Sequence, residues 1–294
     1  ILPLGPTGFG DSPYQSFSTF AGNPYFIDLE TLIEEGVLTT EECLEYDFGE
    51  DNRFIDYEKL YHSRFLILRK AFEQFDTKEE DYEKFIQSNA EWLDGYALFM
   101  AIKDSKGGIS CLEWEDDLRI RKPEVILEYT CQYADDIAFY KFIQYQFTKQ
   151  WMKLKTYANR NGIQIIGDIP IYVSGDSADV WMNPDLFQLD ENGIPTQVAG
   201  CPPDAFSPTG QLWGNPLYRW EHHAETNYEW WIKRIQKCYE WYDILRIDHF
   251  RGFDSYYAIP YGAPDAKNGC WEQGPGMKLF RALEEEIGKQ NISA

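Results

Sequence analysis

The chain has 294 residues, 44% of them hydrophobic, which is enough to bury a sizeable core and argues against wholesale disorder. Its 49 acidic residues against 27 basic ones leave a net charge of −22. That charge would repel phosphate backbones and anionic lipid, so it argues against nucleic-acid and membrane partners and favours a neutral ligand without choosing one.

The opening Ile1-Leu2-Pro3-Leu4 reads as the tail of a buried strand, and a Gly-rich loop follows it through Asp11. A strand this short cannot begin a domain, so the fold is expected to start before Ile1. Residues 28–136 read mostly as helix with charged faces. Asp28 and Thr39 stand where helix starts would place them, each ahead of an acidic first turn. Runs such as Glu79-Glu80-Asp81 are solvated faces.

The rhythm changes at Ile137. Ile137, Tyr140, Phe147, Trp151, Leu154 and Ala158 recur at helical spacing, and Asn161-Gly162 ends that helix. The β-branched run Ile163-Gln164-Ile165-Ile166 predicts a strand ending in Gly167-Asp168. The same order returns with an amphipathic helix over 228–242, then the strand Asp243-Ile244-Leu245-Arg246-Ile247, ending in Asp248-His249. Helix, strand and polar end, twice over, predict an α/β fold with parallel strands. Between the two units, Glu191-Asn192-Gly193 reads as a hairpin turn, and residues 199–216, rich in Gly and Pro, as an irregular loop.

Asp168 and Asp248 thus fall at equivalent strand ends. One such Asp alone would be an N-cap; two at matching places suggest a site at the C-terminal rim of a barrel. Arg246 precedes Asp248 by two, so both share one strand face, and its guanidinium favours the ionised carboxylate. That suits a nucleophile and suits a general acid badly. His249 points to the other face unless the loop turns it inward. The aromatic content of 17% covers core packing and leaves room for rings that stack on sugars. The six cysteines form no closely spaced pair, which suits a reduced cytosol and gives no zinc or redox motif. No apolar run is long enough to span a membrane. The run from Asp190 to Gly193 has the wrong spacing for an EF-hand loop. Asn291-Ile292-Ser293 spells a glycosylation sequon, which in a cytosolic chain is chance.

The segment Arg246-Ile247-Asp248-His249-Phe250-Arg251-Gly252 resembles the nucleophile motif of the 4-α-glucanotransferases of glycoside hydrolase family 77, the amylomaltases or disproportionating enzymes of the α-amylase superfamily. Residues 2–16 (LPLGPTGFGDSPYQS), 21–25 (AGNPY), 167–171 (GDIPI), 200–216 (GCPPDAFSPTGQLWGNP) and 274–276 (GPG) match as well. These segments span nearly the whole chain, which is identified as a member of that family.

The resemblance implies a TIM (β/α)8 barrel, partial here, with a large and mostly helical insertion. Residues 1–30 would carry a barrel strand end and a substrate loop, 31–136 the helical insertion, and 137–294 the barrel units with a hairpin and active-site loop at about 186–217. Asp248 would be the nucleophile and Arg246 its support. Asp168, Tyr14 and His249 would bind sugar beside the cleavage point, and Asp204, Phe206, Trp213 and Asn215 would sit on the loop over the cleft. Phe9 stands where many relatives have a tyrosine that lines a secondary glucan groove; it keeps the stacking surface without the hydroxyl.

The family's acid/base glutamate follows an alanine that matches Ala294, so the resemblance places it one residue further on. The chain is therefore expected to be a fragment cut at both ends, inactive and poorly stable by itself. The implied partners are α-1,4-glucans and malto-oligosaccharides, with no cofactor and no metal. Two other readings remain open: an α-amylase-like hydrolase, and a glucan-binding protein without chemistry.

Overall fold

The computed structural model describes residues 1–49, 51, 53–288 and 292–293. Asn291 of the sequon and Ala294 lie outside that set, as does the side chain of Phe9.

A layer of helices comes first. It comprises α1 (Leu29–Glu34), α2 (Thr40–Leu44), α3 (Tyr57–Gln74), α4 (Glu80–Ser105), α5 (Asp116–Arg119), α6 (Pro123–Gln132) and α7 (Ala134–Arg160). The capping residues act as expected. Asp28 accepts from the Thr31 N–H, and Thr39 forms a reciprocal capping box with Glu42. The long helices α3, α4 and α7 are joined by rings, among them Phe75 and Phe142 at 4.9 Å and Phe72 and Phe142 at 5.5 Å. Of the stripe read on α7, Leu154 is solvent-exposed.

Then follow β1 (Ile166–Pro170), α8 (Ala178–Met182), β2 (Gln197–Cys201), β3 (Gln211–Pro216), α9 (Trp220–Glu225) and α10 (Glu229–Trp241). The chain continues through β4 (Ile244–Asp248), β5 (Ser255–Pro260), β6 (Cys270–Gln273), α11 (Met277–Ile287) and β7 (Ile292–Ser293). Strands β1, β4 and β7 form a parallel sheet in that order, and β3-β2-β5-β6 an antiparallel one. On β4, Leu245 and Ile247 enter the core while Arg246 and Asp248 look out from the other face. One apolar core runs from the helical layer to the parallel sheet, and a smaller cluster of Val198, Tyr257, Ile259 and Ala266 lies on the antiparallel one.

Three expectations are corrected. Residues 1–4 form no strand: Pro3 has no N–H for a ladder, and only the Ile1 amine reaches β1, at the Ile166 carbonyl (2.8 Å). The strand read at 163–166 begins only at Ile166. Before it, the Ile163 N–H closes the end of α7 on the Ala158 carbonyl, and the Ile165 N–H is taken by the Asp243 carboxylate. Finally, residues 199–216 are ordered for most of their length, because β2 and β3 pair as a hairpin around the segment 202–210. A register shift between Val198 and Gly200 lets this Gly-rich stretch pair, and an added Cβ at Gly200 would lie 2.1 Å from the Gln211 carbonyl oxygen. The turn at Glu191-Asn192-Gly193 closes as read, with the Asp190 N–H on the Ile194 carbonyl.

Candidate active site

The displaced start of β1 changes the geometry of the two acids. Asp168 lies in the middle of its strand, in register with Arg246, and Asp248 pairs with Pro170. The acids are therefore not at equivalent ends. They share a face but stand two residues apart in height, a rise of about 6.6 Å.

Arg246 uses this offset. Its Nη1 donates to Asp168 Oδ1 at 2.7 Å and its Nη2 to Asp248 Oδ1 at 2.8 Å. One planar fork thus spans two strands and fixes both carboxylates. These contacts, the one to Asp168 foremost, raise the guanidinium further above its ordinary range. The Asp168 side chain is 11% exposed and the Asp248 side chain 45%. Asp248 is therefore the acid that a ligand can reach. Among the described residues nothing donates to its Oδ2.

Tyr14 completes the group from a distant loop. Its hydroxyl donates to Asp168 Oδ2 at 2.7 Å, and this hydrogen bond is the main reason its phenol is pushed up to about 12. The loop is tight. Thr7 and Ser16 bridge antiparallel, and the Gly8 N–H reaches the Gln15 carbonyl at 2.8 Å. Gly8 is needed there, since a Cβ would lie 2.4 Å from that same oxygen.

His249 leaves the strand in left-handed conformation, at φ 52°. The turn sets its ring edge-on to Trp213 at 4.9 Å and 6.4 Å from Tyr172. Burial holds its pKa below the ordinary histidine value, which favours the neutral ring. Trp213 also lies 6.3 Å from Tyr172. Sequence reasoning missed Tyr172, and its place just past β1 was the available signal.

The remaining hairpin residues divide. Asn215 is buried, donates to the Val173 carbonyl at 2.8 Å and accepts from Gln15. Its amide thereby joins three segments of the fold. Asp204 shapes the hairpin tip by accepting from the Phe206 and Ser207 N–H groups at 2.8 and 2.7 Å. Phe206 is 97% exposed. The structure brings neither Asp204 nor Phe206 into hydrogen-bond or ring contact with the Arg246 group. Most large rings serve the core instead, including Trp114, Trp231, Tyr96 and Phe99. Among the described residues no cluster of three His, Cys, Asp or Glu could hold a metal, and no helix is long and apolar enough to cross a membrane.

Comparison with known proteins gives this geometry a context. The family model described as 4-alpha-glucanotransferase, glycoside hydrolase family 77, matches residues 1–294. A 4-alpha-glucanotransferase of Clostridium butyricum is 51% identical over 296 residues, covering 100% of this chain and 61% of that protein. One from Thermus thermophilus is 46% identical over 299 residues, covering 100% of this chain and 59% of that protein. The solved amylomaltase of Streptococcus agalactiae in complex with acarbose superposes with a TM-score of 0.95 at 44% identity, covering 99% of this chain and 60% of that one. The chain spans about three fifths of the length of these relatives. It belongs to the 4-alpha-glucanotransferases of glycoside hydrolase family 77.

Proposed function

We propose that this chain carries the nucleophile half of a 4-α-glucanotransferase active site, which moves α-1,4-glucan segments between malto-oligosaccharides in a cytosolic enzyme. The observation that carries the reading is the Arg246 fork, which holds Asp248 by one oxygen and leaves the other open. In this reading β1, β4 and β7 are strands of a (β/α)8 barrel, residues 1–30 supply its substrate loop and 31–136 its helical insertion.

Asp248 attacks the anomeric carbon of the donor sugar. The bridging oxygen takes a proton from the family's glutamate and leaves with the reducing-end segment. A covalent glycosyl–Asp248 ester forms, and the 4-hydroxyl of a second glucan displaces it while the glutamate takes the proton back. Asp168 and Tyr14 hold the donor sugar's hydroxyls, His249 and Trp213 wall the cleft, and Asp204 and Phe206 cover it from the hairpin tip.

The test is product analysis of the full-length protein on maltotriose. Transfer gives glucose together with a ladder of longer oligomers, and Asp248→Asn abolishes both. Glucose and maltose without longer products would mean a hydrolase. No turnover, with glucan binding retained, would mean a binding protein, and the catalytic role of Asp248 would fall.

A further inference from the structure

Two charged side chains are buried behind the carboxylates, and the mechanism uses neither. Arg234 on α10 is 1% exposed, and Asp179 on α8 is 3% exposed. Among the described residues neither belongs to an ion pair. Burying a charge without a contacting counter-charge is costly, so what each one holds matters.

Arg234 holds backbone at the end of β1. Its Nη2 donates to the Pro170 carbonyl at 2.5 Å and its Nη1 to the Ile171 carbonyl at 3.0 Å. The Tyr218 hydroxyl donates to the same Ile171 oxygen at 2.8 Å and accepts from Arg234. Two tryptophan faces, Trp231 at 4.7 Å and Trp230 at 5.6 Å, confine the guanidinium. The clamped carbonyls follow Asp168 by two and three residues.

Asp179 holds the other side. Its two oxygens accept from the Thr19 N–H at 2.8 Å and the Thr19 hydroxyl at 3.2 Å. Next to it, the Ala178 N–H donates to the Phe17 carbonyl at 2.8 Å. Thr19 and Phe17 end the loop that carries Tyr14. A cavity of about 40 Å³ between these segments is lined by Tyr14, Thr19, Pro170 and Arg234. The Arg234 charge also favours the ionised form of Asp179 through the interior, although burial still pushes that carboxyl up to about 6.

We propose that Arg234 and Asp179 are a buried pair of positioning residues, each fixing the backbone of one partner in the Tyr14–Asp168 hydrogen bond. The proposal rests on the functional reading only in the importance it gives to that bond. The pair holds the donor-sugar subsite in shape before substrate arrives. Neither residue touches sugar.

The test reads the hydrogen bond itself, in the full-length protein. A fluorotyrosine placed at position 14 by nonsense suppression is titrated by 19F NMR. The parent is expected to titrate roughly two pH units above the free amino acid, as the phenol moves from 10.0 to about 12. Arg234→Lys keeps the charge and loses the fork, and Asp179→Asn keeps the shape and loses the charge. Each is expected to lower the midpoint by about one unit while near-UV circular dichroism stays unchanged, and the double variant should add little more. Should either fail to fold, Thr19→Val removes the hydroxyl contact to Asp179 at a half-buried position, leaves the N–H contact in place, and is expected to lower the midpoint in the same direction by less. A raised parent midpoint that no variant moves overturns the proposal and leaves the functional reading standing. A parent midpoint at the free value removes the Tyr14–Asp168 bond and overturns the proposal, while the functional reading, carried by the Arg246 fork, stands. Lowered midpoints with undiminished glucan transfer would uphold the positioning pair and count against the role given to Tyr14.

Discussion

Asp179→Asn should make the protein more stable at neutral pH, and the gain should vanish in acid. Burial raises the Asp179 carboxyl from 3.8 to about 6 in the folded chain. A group with a raised folded pKa contributes fully below its unfolded value and loses that contribution as pH climbs through the folded one. The window is therefore pH 3.8 to about 6. A shift of this size, at about 1.4 kcal/mol per unit, corresponds to about 3 kcal/mol. The amide weakens one of the two Thr19 contacts, which costs about 1 kcal/mol. The variant should therefore be about 2 kcal/mol more stable at pH 8 and slightly less stable than the parent below pH 4. Urea unfolding of both proteins between pH 4 and 8 measures it.

The comparison must be a difference. Burial lowers His223 from 6.5 to about 4, so its contribution is complete above 6.5 and is lost as pH falls through 4, opposite in sign within the same window. His223 and the other acids titrate alike in both proteins and drop out. A stability difference that stays constant with pH, or that grows in acid, would refute the reasoning.

Arg246→Lys keeps one charge and loses the two-pronged contact to Asp168 and Asp248, so kcat for maltotriose transfer by the full-length protein should fall on the order of 10²-fold. Tyr14→Phe removes one hydrogen bond to a carboxylate, worth roughly 1.5–3 kcal/mol, and should lower the urea midpoint correspondingly while kcat/KM falls about 10- to 100-fold. Gly22→Ala sets a Cβ 2.0 Å from the Phe147 ring while Gln144 pins the Gly22 backbone on both sides. It should cost roughly 1–3 kcal/mol, read as a lower urea midpoint.

Local chemistry was legible where neighbours in sequence decide it. The caps at Asp28 and Thr39, the helix over Glu229–Trp241 and the shared face of Arg246 and Asp248 needed only spacing. What spacing could not reach is register between strands. That Arg246 faces Asp168 depends on a pairing across 78 residues, and it is set by where α7 and Asp243 release the chain into β1. The hairpin was hidden because glycine and proline carry little strand signal. Asp204 and Phe206 came from resemblance alone, and the fold sets both at an exposed hairpin tip. Arg234 and Asp179 were invisible for another reason: buried charges break the pattern of polar outside and apolar inside on which such reading depends.

The seam between the helical layer and the sheet limits how such proteins can be recombined. Lys103 on α4 bonds the Asp176 carboxylate at 2.6 Å just before α8, and its ammonium lies 4.9 Å from the Phe17 ring. Gln144 on α7 meets both backbone groups of Gly22, where Phe147 leaves no room for a side chain. These contacts join the helices to the very loop that presents Tyr14. A chimera that exchanges the helices with those of a relative must therefore inherit residues 17, 22 and 176 in the same transfer. Otherwise two well-folded parents would give an offspring whose tyrosine misses its acid.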